Sequence, residues 1–83
     1  MCKMIRNKYK DVIVFLKKTN FINKRWLNTL AYKKDNIIIS LYEKEIIIFD
    51  LIENRTYKFS EETSNQLIID FLLFLDNQYH HTI

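Results

Sequence analysis

The sequence predicts an α+β domain: a four-stranded antiparallel meander flanked by an N-terminal and a C-terminal helix, in the order α-β-β-β-β-α. Three observations carry this. Two β-branched runs, "NIIISLY" and "EIIIFDL", are separated only by Glu43 and Lys44, the spacing of a hairpin. Ahead of them Ile5, Tyr9, Val12, Ile13 and Leu16 recur with a helical period. Behind them Ser60 precedes a long apolar segment that contains "QLIIDFLLFLDNQY".

The first helix is expected over Met4 to Lys18. Lys17 and Lys18 suit the negative end of its dipole, and Asn20 can take the left-handed residue that ends it. The next segment, "RWLNTLAY", is read as a strand through Trp26, Leu30 and Tyr32. A short helix through Trp26, Leu27, Leu30 and Ala31 is the competing reading. The two β-branched runs follow, then the turn "IENR" and the alternating strand "TYKFS". The last helix is expected from an N-cap at Ser60, with Glu61 and Glu62 in its first turn, to about Tyr79. With no Gly and no Pro in the chain, the turns fall to Asn, Asp, Lys and Glu.

Alternation then assigns faces. A two-residue turn at Glu43 and Lys44 sets Leu41 opposite Ile46 and Ile39 opposite Ile48. Carried outward, it sets Leu30 and Tyr32 beside Ile39 and Ile37, and Phe59 and Tyr57 beside Ile48 and Asp50. One face collects Trp26, Leu30, Tyr32, Ile37, Ile39, Leu41, Ile46, Ile48, Tyr57 and Phe59. The other runs through Leu27, Thr29, Ala31, Lys33, Ile38, Ser40, Tyr42, Ile47, Phe49, Leu51, Thr56 and Lys58, and its centre is apolar. An antiparallel sheet with a wholly solvated second face would be more polar there.

The last helix raises the same question. Leu67, Phe71, Phe74 and Leu75 form one stripe, Ile68 and Leu72 extend it, and Ile69 and Leu73 lie across. One helix on each side of the sheet would consume this apolar surface in a three-layer monomer. Both helices on the richer face would leave the second face, or the outer side of the last helix, for another chain. The second arrangement is preferred, because a buried Leu or Ile contributes roughly 1.5–3 kcal/mol that a wet one does not. The expected partner interface is Ile38, Tyr42, Ile47, Phe49, Leu51, Ile69 and Leu73. Its expected occupants are another protein and a second copy in a homodimer.

Eighty-three residues make a single domain, 1–83, and 48% hydrophobic content excludes a disordered chain. Cys2 is the only cysteine, so no disulfide framework exists. The run "VIVFL" behind the basic N-terminus is too short for a signal peptide, and no run approaches the ~20 residues of a membrane span. No membrane partner is therefore expected, and the chain is assigned to the cytoplasm of a cell or of an infected host cell. Its Ile, Lys, Asn, Phe and Tyr usage matches AT-rich coding, as in a low-GC organism, virus or mobile element.

Charge is divided along the chain. Residues 1–34 hold ten Lys and Arg against one Asp, a balance of +9, while residues 35–83 hold three against nine, a balance of −6. Candidate electrostatic or nucleic-acid contacts are Lys3, Arg6, Lys10, Lys17, Lys24, Arg25, Lys33 and Lys58. Tyr42 and Phe49, with Lys33 and Lys58 beside them, have the ingredients of a base-stacking platform. The bland reading of these lysines is a solvated face.

Catalytic chemistry is hard to assemble. A Gly-rich phosphate loop is excluded without glycine, and His80 and His81, the only histidines, stand at the tail. Asp50 would point into the core face near Tyr57, where a hydrogen-bonded residue is the simpler reading. No catalytic residue, cofactor or metal ligand is assigned. The expectation is a small non-enzymatic protein-binding module. In size, palette and surplus apolar surface it resembles the small inhibitors of phages, viruses and mobile elements, including the anti-defence and anti-CRISPR type, that occlude a surface on a host protein. Nucleic-acid binding through the basic half and the aromatic sheet face is the alternative.

Overall fold

The structure is a computed structural model that describes residues 7–26 and 29–80. It is α+β, with helix α1 (Lys10–Lys18), strands β1 (Ile22–Trp26), β2 (Thr29–Lys34), β3 (Ile37–Leu41), β4 (Glu45–Asp50) and β5 (Arg55–Ser60), and helix α2 (Asn65–His80). The five strands form one antiparallel sheet in sequence order, with β1 and β5 at its edges. The sheet thus has one strand more than expected, because the segment read as a single strand from Arg25 to Tyr32 takes in the end of β1 and the start of β2, which pair antiparallel. Its register pairs Ile22 with Lys33 and Trp26 with Thr29, so Trp26 falls out of step with Leu30 and Tyr32. Leu27, and the side chains of Arg25, Trp26 and Thr29, lie outside the described residues.

Helix α1 ends as its sequence dictates. Asn20 takes φ 69°, the Phe21 N–H donates back to the Leu16 carbonyl at 3.0 Å, and both Phe21 and Leu16 are buried. This is the Schellman arrangement, with its hydrophobic contact closing the last turn. The N-terminal part of the expected helix, Met4 to Arg6, lies outside the described residues.

The turns make up for the missing glycines with Asp and Asn. Asp35 (φ 52°) lets β2 and β3 meet through a two-residue turn, and Asn54 (φ 54°) closes the loop between β4 and β5. Both turns are displaced by one residue from the expected place, the first toward the C-terminus and the second toward the N-terminus. Tyr32 faces Ile39 and Tyr57 faces Ile48, each two residues from the anticipated partner. A shift of two residues preserves the faces, so the core assignment survives it. The Glu43–Lys44 turn is as expected, with Leu41 opposite Ile46.

Helix α2 begins later than expected. Ser60 still pairs with Glu45 in the sheet, and Glu61 and Glu62 fall in the turn closed by the Thr63 N–H donating to the Ser60 carbonyl at 3.1 Å. The cap is Ser64, whose Oγ accepts from the Leu67 N–H at 3.2 Å. Ser64→Ala is therefore expected to cost about 1 kcal/mol and lower the melting temperature by several degrees. Ser60→Ala should leave it almost unchanged, and a thermal melt of each variant by circular dichroism checks the pair.

The two helices lie side by side on one face of the sheet. Tyr9, Val12, Ile13 and Leu16 from the α1 segment and Ile68, Leu72 and Leu75 from α2 share one core with Leu30, Tyr32, Ile37, Ile39, Leu41, Ile46 and Ile48. Lys34, on the same face, pairs with Asp76 of α2 at 3.3 Å. The molecule has two layers, and no described element packs on the other side of the sheet.

Candidate interaction surface

The register builds the open face row by row across the strands. One row runs Ile22, Lys33, Ile38, Phe49 and Thr56, and the next runs Lys24, Ala31, Ser40, Ile47 and Lys58. Ile38, Ile47 and Phe49 are half-buried, shaded by their sheet neighbours. Tyr42 (39%), Leu51 (52%) and Ile22 (62%) are more exposed around them. Ala31 and Ser40 are buried without a covering layer, because short side chains sit below longer neighbours. The second row is thus a shallow trough with an ammonium at either end, Lys24 and Lys58, on strands roughly 19 Å apart at the usual inter-strand spacing.

Charge on this face is mostly of one sign. Lys24, Lys33 and Lys58 are exposed on it, with Glu45 near one corner. Lys24 and Lys33 also line an open groove of about 480 Å³ with Asn20, Ile22, Lys34 and Asp35. Lys34 is committed elsewhere, to Asp76 and to a position 5.8 Å from the Phe21 ring centre. The other cations singled out in the sequence do not join this patch. Lys10 and Lys17 are exposed on α1, in the helix layer, while Lys3, Arg6 and the Arg25 side chain lie outside the described residues.

The anticipated interface therefore divides. Ile38, Tyr42, Ile47, Phe49 and Leu51 come together on or at the margin of the open face, whereas Ile69 and Leu73 belong to α2 on the far side of the sheet. Ile69 is half-buried against the core and only Leu73 is exposed. The buried stripe of α2 is Ile68, Leu72 and Leu75, which corrects the expected stripe: Leu67 (52%) and Phe74 (58%) face solvent. Between them the Phe71 ring meets Tyr57 and Phe59 edge-on, at 4.7 and 5.3 Å between centroids. An apolar stripe of Leu67, Phe71 and Phe74 consequently runs beside β5.

Asp50 is buried, as its place in the core face requires, and its Oδ1 accepts the N–H groups of Ile52 (3.1 Å) and Glu53 (3.2 Å). The carboxylate closes the loop between β4 and β5, the structural role read from its position. Among the described residues no three His, Cys, Asp or Glu gather as metal donors, and no helix is long and apolar enough to cross a membrane.

No protein-family model, curated protein or solved structure matches the chain. Function is therefore argued from the surface and not from kinship.

Proposed function

We propose that this chain is a protein-binding module that docks through its open sheet face and acts by occluding a surface on another protein. One observation carries the reading: both helices cover the same side of the sheet, leaving Ile38, Ile47 and Phe49 at the centre of an uncovered face. An apolar centre inside a charged rim is the anatomy of a protein interface. The rim lysines Lys24, Lys33 and Lys58 select a partner surface that is apolar at its middle and acidic around it. The biological setting we propose is an inhibitor made by a phage, virus or mobile element, of the anti-defence or anti-CRISPR type, working in the cytoplasm of its host.

Nucleic acid is the competing reading, favoured by the Lys24–Lys33 groove and by Tyr42 and Phe49 on one face. The centre argues against it, since Ile38 and Ile47 offer no ring on which a base could stack.

Comparative capture from an extract of the natural host tests the proposal. The unaltered chain should retain a protein that the Ile38→Glu variant loses, with both variants equally folded by circular dichroism. Equal retention by the two would mean that the open face is not the docking surface. Retention of an oligonucleotide that vanishes at moderate salt, with no protein lost, would favour the nucleic-acid reading.

A further inference from the structure

A second unpartnered surface lies at the opposite edge from β1, and it is independent of the docking face. Strand β5 ends the sheet, so one side of its backbone presents amide and carbonyl groups to which no described strand pairs. Such an edge templates another strand. Above it runs a stripe of the exposed Leu67 and Phe74 with the half-buried Phe71 between them.

We infer that this edge is a homodimer interface, in which β5 pairs antiparallel with β5 of a second copy and the two sheets become one. Three features point to a second copy as the occupant. The first is coincidence of centres. The Phe71 ring touches both Tyr57 and Phe59, so the middle of the helical stripe stands over the middle of the strand. A two-fold axis there serves both elements at once, bringing Leu67 of one copy toward Phe74 of the other.

The second feature is charge. Arg55 opens β5, while Glu61 and Glu62 follow its end. Antiparallel pairing sets the basic end of each copy beside the acidic end of the other. Residues opposed across an antiparallel pair share a face, which limits the choice of centre. Centring on Lys58 would oppose two ammonium groups, which is unfavourable. Centring on Tyr57 sets Thr56 opposite Lys58 and Arg55 opposite Phe59, with Glu61 of the other copy, which its own Lys8 meets at 3.4 Å, one diagonal step from Arg55.

The third feature is exclusion. The open sheet face carries Lys24, Lys33 and Lys58, so two copies meeting there would bring like charges together. Dimerisation through β5 avoids this and leaves both open faces uncovered, side by side on one continuous sheet, while the helices of both copies share the other side.

Sedimentation equilibrium of the full chain over a wide concentration range tests the inference. The unaltered chain should form a dimer that dissociates on dilution. Phe74→Glu, at a position already exposed in the single chain, should raise the dissociation constant about tenfold or more. Leu67→Glu should act in the same direction if Phe74→Glu perturbs the helix, and circular dichroism monitors folding. Phe49→Glu, on the open face, should leave the dimer intact, so loss of docking and loss of dimerisation are read separately. A monomer at every concentration up to about 1 mM would overturn the interface and leave the edge to a strand from another protein. Dimerisation that survives both Phe74→Glu and Leu67→Glu, or that fails in Phe49→Glu, would equally overturn it.

Discussion

Ile48→Ala is expected to lower the melting temperature by about 10–30 °C, and Ile47→Ala, one residue earlier on the same strand, by no more than a few degrees. Ile48 is fully buried under the helices and Ile47 is half-buried on the open face. Truncating a core Ile to Ala costs about 2–5 kcal/mol, because the lost transfer energy is joined by a cavity that the packed surroundings fill only in part. An 83-residue domain has a stability of roughly 4–12 kcal/mol in all, and each kcal/mol moves its midpoint by about 4–8 °C. At Ile47 none of the described elements lies above the side chain, so truncation removes only contacts with sheet neighbours such as Ser40 and Lys58 and opens no cavity. Thermal melts at one fixed protein concentration make the comparison. Equal losses would mean that the open face is covered after all.

Phe49→Ala is expected to weaken binding to the captured partner about tenfold to a hundredfold, almost entirely through faster dissociation. Phe49 is the only aromatic ring within the central rows of the open face, between Ile38 and Thr56. A large apolar anchor at an interface centre holds a disproportionate share of the affinity. Lys24→Ala and Lys33→Ala should behave differently. They belong to the rim, where charge steers encounter, so they should slow association and lose their effect as salt is raised. Surface plasmon resonance at two ionic strengths separates the two classes. Loss of affinity through the lysines alone, with Phe49→Ala neutral, would contradict docking through an apolar centre.

Much of the fold was legible in the sequence because alternation has a period of two. The strand pairings about β2 and β5 were anticipated two residues away from their true register. Even so, Leu30, Tyr32, Tyr57 and Phe59 remained on the core face, since only an odd shift inverts a strand. Strand β1 was illegible for a physical reason. In "INKRW" the alternate positions offer Ile22, Lys24 and Trp26 to one side, with a lysine at the centre, and Asn23 and Arg25 to the other, so neither side forms an unbroken apolar row. An edge strand needs no buried face to pair, and the sequence between β1 and β2 holds no glycine to mark the break.

The stripe of α2 failed for the opposite reason. From Leu67 to Leu75 every residue except Asp70 is large and apolar, so several stripes fit the helical period equally well. Packing selected Ile68, Leu72 and Leu75 and left Leu67 and Phe74 outside, a choice made by the sheet rather than by the helix. The Lys34–Asp76 pair, 42 residues apart, likewise exists only once the second helix has docked.

Among the described residues, both helices cover one side of the sheet and none covers the other. Paramagnetic relaxation by a soluble, uncharged probe reports it residue by residue in solution. Strong broadening is expected for the Ile38 and Ile47 methyls and the Phe49 ring, with Ile39, Ile46 and Ile48 untouched. Equal protection of both sets would contradict it.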